Sequence, residues 1–226
     1  MITGVPVAYA VLLASLAQMA LLSALCILGP LWSQRSRLRD APHALRRFGF
    51  FCALGVGFMG IEITSLQMFT VFLGAPVYSM AITLASLLAA TGLGALWAGR
   101  RDSPADLLVR NAVIGIALWV VATAFLLDPL LELGIGLPLV ARAFLVAGWL
   151  LPVGLVLGVP MPTAIRALSA ETPALVPWAW GANACASVLA SLAVVLVSMQ
   201  IGFTATLFVT AAIYGLGYFL WRPTVA

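Results

Sequence analysis

The chain has 226 residues, of which 64% are hydrophobic and only 8% are charged, whereas a soluble domain is about 45–50% apolar and about 25% charged. This composition excludes a soluble globular domain and predicts a polytopic membrane protein. The net charge of +4 comes from eleven arginines and no lysine, in short clusters between apolar stretches. Because they form no basic face, we expect no nucleic-acid binding.

The first apolar span covers about residues 5–32 and leads into a polar connection at residues 33–47. Because the first residues lack the positively charged start of a signal peptide, we expect this span to be retained as a helix. The single histidine, His43, is expected to be solvated. Positively charged connections stay in the cytoplasm. The N-terminus is therefore predicted to lie outside, because the connection holds Arg35, Arg37, Arg39, Arg46 and Arg47.

The second span, residues 48–73, contains a single charged residue, Glu62, near its middle. A charged side chain at the centre of a bilayer costs at least about 2.5 kcal/mol, so Glu62 is predicted to face protein or water rather than lipid. Two interpretations are open. In the first, burial disfavours the charged form and the neutral acid forms a hydrogen bond between helices. In the second, Glu62 is a site for a proton, a cation or a small cationic molecule such as a polyamine.

The third span, residues 77–99, carries small side chains on one face, at Thr83, Ser86, Ala90 and Gly94. Such a face lets another helix backbone approach closely, either within the bundle or in a neighbouring protein. The following connection, residues 100–110, is rich in arginine and is predicted to be cytoplasmic.

The fourth span covers residues 111–127 and the fifth covers residues 139–159. Between them, a predicted outer loop at residues 128–138 carries Asp128 and Glu132. Arg142, in the first turn of the fifth span, is the one arginine assigned to the outer side. We expect Arg142 to pair with Asp128 or Glu132 at the membrane interface, with a substrate contact as the alternative.

Two prolines, Pro160 and Pro162, follow the fifth span. Since proline lacks a backbone N–H, the helix is predicted to kink or break there and then to resume briefly to Leu168. The break has two interpretations. It is a simple exit of the chain into the cytoplasm, which Arg166 favours, or it builds a binding site from freed backbone groups.

The sixth and seventh spans, residues 177–200 and 204–221, complete a predicted single domain of seven transmembrane helices over residues 1–226. This topology leaves ten of the eleven arginines inside and the C-terminus in the cytoplasm. The three cysteines, Cys26, Cys52 and Cys185, lie in apolar spans without C-x-x-C spacing. We therefore predict neither a metal site nor a disulfide.

Several polar side chains lie at a depth where they could meet inside the membrane, given the rise of about 1.5 Å per helical residue. Asn183 is nearer the cytoplasm than the others. We predict an intramembrane polar cluster of Glu62, Ser65 and Gln67 from the second span, Asn183, Ser187 and Ser191 from the sixth, and Thr210 and Tyr214 from the seventh.

Three segments carry a family resemblance: GVGFMGIEITSLQMFTVFLGAPVYSMAITLASLLAATGLGAL, GVPMPTAIRAL and VPWAWGANACASVLASLAVVLVSMQIGFTA. They hold the glutamate of G-F-M-x-x-E-I, the P-M-P step and P-W-A-W-G-x-N, in that order. Over about residues 48–220 the chain resembles the membrane portion of bacterial spermidine synthase-like membrane proteins.

In that family, such helices accompany a soluble domain that resembles aminopropyltransferases and binds decarboxylated S-adenosylmethionine through a Rossmann-type fold. We expect this chain to lack that domain, because no G-x-G-x-x-G follows a predicted strand and no acidic pair lies in a soluble loop. The resemblance therefore implies a helical membrane fold and an intramembrane cluster, and no synthase activity of the chain itself.

Three functions are compatible with these observations. The one we favour is a non-catalytic accessory or scaffold subunit of a larger assembly in the bacterial cytoplasmic (inner) membrane, with the lipid bilayer and other membrane subunits as partners. The second is a transporter or binder of a small cationic molecule such as a polyamine or a proton. The third is the membrane half of a split aminopropyltransferase-like enzyme whose soluble synthase-like chain is separate. We predict no catalytic residues and no cofactor.

Overall fold

The computed structural model describes residues 7–33 and 43–221. Over these ranges the secondary structure is helical, with eight α-helices and no strand. A short 3-10 turn, Pro173–Leu175, precedes the seventh helix. The helices are α1 (Val7–Ser33), α2 (Ala44–Leu73), α3 (Pro76–Gly99), α4 (Ala105–Gly134), α5 (Leu139–Leu157), α6 (Pro160–Glu171), α7 (Val176–Ile201) and α8 (Phe203–Trp221).

Six helical stretches of the described chain are long and apolar enough to cross a membrane. They are α2, α3, α4, α5 with α6, α7 with its preceding turn, and α8. The 27 residues of α1 would make a seventh, since about 20 residues span the hydrocarbon core. The described residues therefore confirm the helical fold and at least six helices long and apolar enough to cross a membrane. The count of seven spans and the orientation of the termini stay predictions.

The largest difference from the predicted spans is in α4, which covers Ala105–Gly134 instead of residues 111–127. Asp128 and Glu132 consequently lie on the helix, and the predicted outer loop at residues 128–138 shrinks to residues 135–138. Pro129 lies inside α4. Its missing N–H is tolerated because this end of the helix is exposed, with Phe125 at 72%. The other long helices begin and end within four residues of the predictions.

The centre of the bundle is α2, which packs most extensively against α7 and α8 and also contacts α3, α5 and α6. Its glycines let α8 approach closely. A Cβ added at Gly57 would lie 2.7 Å from Cδ2 of Tyr214, and one at Gly60 would lie 2.7 Å from Cγ2 of Thr210. The backbone of α2 therefore lies directly on the side chains of α8.

A second close contact joins α3 to α5. A Cβ at Gly94 would lie 2.8 Å from the carbonyl carbon of Leu155, and one at Gly158 would lie 2.8 Å from the amide nitrogen of Ala95. Thr83, Ala90 and Gly94 are buried in this part of the bundle, with Ser86 half-buried. The small-residue face predicted on the third span therefore packs inside the bundle.

Arginines hold helix ends together at one end of the bundle, here called the arginine-rich end, which contains the start of α2 and the connection from α3 to α4. Arg47 forms an ion pair with Glu171 at the end of α6. Arg166 donates hydrogen bonds to the carbonyls of Ala98 (3.3 Å) and Gly99 (3.2 Å) at the end of α3. The exposed His43 precedes α2 in a left-handed conformation. Outside the described residues lie Arg35, Arg37, Arg39 and Arg222.

Candidate functional site: a cleft at the broken helix

The helix of the fifth span is interrupted at Gly158 and Val159, where α5 ends and α6 begins at Pro160. The amide of Gly158 donates to Gly154 O (3.1 Å) and that of Val159 to Val156 O (3.1 Å), which tightens the last turn of α5. In a continuous helix, Gly158 O would accept from residue 162, but Pro162 has no N–H. The break therefore leaves a backbone acceptor without its helical donor.

A cleft of about 350 Å³ opens beside this break. It lies in the half of the bundle nearer the arginine-rich end, between α2, α3, the α5–α6 break, α7 and α8. Its volume is at the lower end of the range for small-molecule sites, about 300–1,000 Å³. The cleft is lined by Leu54, Phe58, Leu88, Thr91, Gly92, Ala95, Leu157, Gly158, Pro160, Met161, Pro162, Asn183, Ser187 and Tyr214.

Tyr214, from the middle of α8, is the most deeply buried polar side chain of the cleft. Its side chain is only 3% exposed, and its ring lies against Gly57 of α2, where any side chain would collide with it. Tyr214 is one of the residues that line the cleft, and no hydrogen bond joins its hydroxyl to another described residue. The phenolic hydroxyl is therefore available to a molecule in the cleft.

Two further polar side chains enter the cleft from α7. Asn183 donates from Nδ2 to the carbonyl of Phe51 (3.2 Å), and this orients the amide so that Oδ1 remains an acceptor. The hydroxyl of Ser187, one turn along α7, has no partner among the described residues. A Cβ added at Gly55 of α2 would lie 2.8 Å from Ser187 Oγ and 3.2 Å from the backbone carbonyl carbon of Asn183. The glycine thus lets α7 approach α2 closely where these two residues line the cleft.

Of the predicted polar cluster, Asn183, Ser187 and Tyr214 come together in the cleft. Four other members have separate surroundings. Ser65 is buried, and its hydroxyl is unpaired within the described residues. The remaining three are engaged elsewhere: Gln67 Oε1 accepts from Ser198 (2.8 Å), Ser191 donates to Val188 O (2.8 Å) and Thr210 donates to Thr206 O (2.8 Å).

Glu62 is half-buried in the middle of α2 and lies outside the cleft lining. It follows Phe58, which lines the cleft, by four residues, so the two side chains lie on one face of α2 about 6 Å apart along the helix axis. No hydrogen bond or ion pair joins Glu62 to any other described residue. Neither interpretation of Glu62 from the sequence is tested by these contacts.

Arg142 differs from its predicted role. Its Nη1 donates a hydrogen bond of 2.7 Å to the carbonyl of Phe72, and the guanidinium lies 5.9 Å from the Phe72 ring. Because α4 continues to Gly134, Asp128 and Glu132 are exposed along that helix, and neither forms an ion pair with Arg142. Instead of the predicted pairing, the Arg142 guanidinium binds the C-terminal end of α2, where the helix dipole favours a positive charge.

Sequence analysis did not predict Phe58, Thr91 or Met161 as site residues. The one sequence signal near them was the proline pair at the end of the fifth span. Among the described residues, no group of three or more His, Cys, Asp or Glu side chains could hold a metal ion.

The free thiols of Cys52 and Cys185 lie within the bundle, and Cys52 Sγ is 3.8 Å from the carbonyl of Ala182. No disulfide links them. The resemblance to spermidine synthase-like membrane proteins stays a prediction, because the chain matches no protein-family model, no curated protein and no solved structure with which it was compared.

Proposed function

We propose that this protein is a multi-pass membrane protein that binds a small organic molecule in the cleft beside the α5–α6 break. The observation that carries the proposal is Tyr214, which is 3% exposed, lines the cleft and has no hydrogen-bond partner within the described chain. The hydroxyl of a buried tyrosine usually has a hydrogen-bond partner. Phenylalanine would fill the same space without needing one, so a ligand that pairs with the hydroxyl explains the tyrosine.

The other polar groups of the cleft support the same function. Gly158 O, Asn183 Oδ1 and the Ser187 hydroxyl all lie along one apolar cavity. A few convergent polar groups in an apolar cleft are typical of a small-molecule site. Broken helices supply such groups in many membrane transporters, so the bundle is a candidate binder or carrier.

The orientation that we propose places the arginine-rich end in the cytoplasm and the N-terminus outside, in a bacterial cytoplasmic membrane. Arg46, Arg47, Arg100, Arg101 and Arg166 lie at that end, and such a bias is typical of cytoplasmic connections. The cleft would then lie in the cytoplasmic half of the membrane and receive its ligand from that side.

The accessory-subunit and split-enzyme functions stay predictions. The accessory role was supported in part by helix faces made of small residues, on α3 and α7, because such faces can pack against a neighbouring protein. Gly94 is packed on α5, and the alanine row of α7, Ala182, Ala186 and Ala190, is buried. These faces are therefore occupied within the chain and are not free for another subunit.

Native mass spectrometry of the protein extracted from its own membranes in mild detergent tests the binding function. We expect the wild-type protein to carry a small non-covalent adduct that denaturation releases. Tyr214→Phe should lose most of it, whereas the exposed Tyr78→Phe should retain it, since Tyr78 is 48% exposed at the start of α3. A wild-type mass equal to that of the chain alone, or an adduct unaffected by Tyr214→Phe, would contradict the proposal.

A further inference from the structure

We propose that the ligand of the cleft carries a protonated amino group, which the cleft recognises through hydrogen-bond acceptors and aromatic rings. This inference rests on the proposed binding function and names the chemical class of its ligand. It depends on which polar atoms of the cleft can donate hydrogen bonds and which can only accept them.

Three polar groups of the cleft, those of Gly158, Asn183 and Thr91, offer hydrogen-bond acceptors. The carbonyl oxygen of Gly158 has no helical donor, because residue 162 is a proline without an N–H. Asn183 donates from Nδ2 to the carbonyl of Phe51, so its Oδ1 remains available as an acceptor. Thr91 donates its hydroxyl to Leu88 O (3.1 Å), so it too has only lone pairs to offer. The hydroxyls of Ser187 and Tyr214 can either donate or accept. A ligand that satisfies this set must bring hydrogen-bond donors.

An anionic ligand would find little to bind. Within the described ranges, no lysine, arginine or histidine lines the cleft. A helix N-terminus ordinarily attracts anions through its free N–H groups, but Pro160 and Pro162 remove two of these from α6. The amide of Thr163 is also engaged, since it donates to Val159 O. Met161 supplies the only other N–H of this first turn, so the start of α6 is a weaker anion site than an ordinary helix N-terminus.

An ammonium group fits these features. It provides three donors and no acceptor, and aromatic rings such as those of Phe58 and Tyr214 attract cations. The carboxyl group of Glu62 lies one helical turn beyond Phe58 on the same face of α2 and has no partner in the described chain. An extended amine could reach it from the cleft.

Cysteine accessibility tests the charge preference without requiring tight binding. In a variant with Cys26, Cys52 and Cys185 replaced by alanine, Ser187→Cys introduces a thiol into the cleft. Ser191→Cys, one turn further along α7, is the matched control outside the cleft. The probes are two methanethiosulfonate reagents, one carrying an ethylammonium group and the other an ethylsulfonate group. The modification rate of each reagent is divided by the rate at which the same reagent reacts with a free thiol in solution, which corrects for their intrinsic reactivity.

We expect the cationic reagent to modify Ser187→Cys at least about tenfold faster than the anionic reagent after this correction, because the cleft offers acceptors and no positive charge. At Ser191→Cys the two corrected rates should be similar. Butylammonium should also raise the melting temperature of the wild-type protein more than 1-butanol or butyrate does, and Ser187→Ala should reduce this rise.

The outcomes separate the two proposals. Equal or faster modification of Ser187→Cys by the anionic reagent would overturn the amine class. If 1-butanol or butyrate then stabilised the protein in a manner that Tyr214→Phe abolished, the binding function would stand with a different ligand class. If neither reagent modified Ser187→Cys and no native adduct were found, both proposals would fail.

Discussion

The contact between α3 and α5 can be tested with one methyl group, by the substitution Gly94→Ala. A Cβ at residue 94 would lie 2.8 Å from the carbonyl carbon of Leu155 and 3.1 Å from its Cα. Both are backbone atoms of a helix and cannot rotate away as a side chain would. At Gly92, two residues earlier on the same helix, an added Cβ would meet nothing within 4 Å. Gly92→Ala is therefore the matched control.

The size of the effect follows from these distances. Non-bonded carbon atoms lie about 3.5–4.0 Å apart, so the contact with the carbonyl carbon alone requires the two backbones to separate by about 0.7–1.2 Å. The carbonyl oxygen of Leu155 lies closer still to the added Cβ, so the required separation is at least this large. Overpacking of this kind costs about 1–3 kcal/mol. Both substitutions gain about 1 kcal/mol because alanine is a better helix former than glycine. That gain cancels between them, and Gly94→Ala should be less stable than Gly92→Ala by about 1–3 kcal/mol.

The free energies of unfolding can be measured by titrating sodium dodecyl sulfate into mixed micelles and following helicity by circular dichroism. A Gly94→Ala protein as stable as Gly92→Ala would show that α3 and α5 are not in backbone contact at residue 94. The two helices would then not form one wall of the cleft at that point.

Three further predictions concern charged groups. Arg142→Met should lower the free energy of unfolding by about 1–2 kcal/mol, because it removes the hydrogen bond to Phe72 O. Arg110→Met, which removes an exposed arginine, should change the free energy of unfolding by less than about 0.5 kcal/mol. Equal effects of the two substitutions in thermal melts would contradict this prediction. Glu62→Gln should keep the helicity of the wild type, and a selective loss of proton- or cation-dependent uptake into vesicles would show that Glu62 is more than a neutral hydrogen-bonding acid. A cysteine at position 103, between α3 and α4, should resist impermeant maleimide added to intact cells; efficient labelling would reverse the proposed orientation.

Hydrophobicity alone was enough to predict most of the membrane helices. Long apolar stretches separated by arginine, glycine or proline define α2, α3, α7 and α8 to within four residues, because a helix in lipid must satisfy its own backbone. The same reasoning failed at α4. Asp128, Pro129 and Glu132 are typical of a loop, yet the helix continues through them. Its length of about 45 Å exceeds the hydrocarbon core of about 30 Å, so polar residues at both ends can lie outside the lipid.

The candidate site was predictable in part. The position of a residue along its helix follows from the sequence, and on that basis Ser187 was grouped with Tyr214, which lines the same cleft. The sequence does not show which helices are neighbours or how each is rotated. The pairing of α3 with α5, and of α2 with both α7 and α8, is not sequential. Without that pairing, Thr91 could not be assigned to the site.

The position of the cleft follows from how the glycines divide the bundle. Gly55, Gly57 and Gly60 bring α2 against α7 and α8, while Gly94 and Gly158 bring α3 against α5. Gly55, Gly94 and Gly158 lie against backbone atoms of the facing segments, and Gly57 and Gly60 lie against side chains of α8. The cavity remains between these two closely packed groups of helices. The polar residues of the cleft come from both groups of helices: Tyr214, Asn183 and Ser187 from the first, and Gly158 and Thr91 from the second.

A ligand paired with Tyr214 on one group and with Gly158 O on the other would bridge the two groups. At the arginine-rich end, the ion pair of Arg47 with Glu171 joins α2 to α6, which continues from the α5–α6 break. A ligand shifts a conformational equilibrium only by its difference in affinity between the two states. A ligand that contacts both groups of helices could bind only while the groups are packed together. The full binding free energy would then favour the packed arrangement. Release of the ligand would require the two groups to separate around the α5–α6 break.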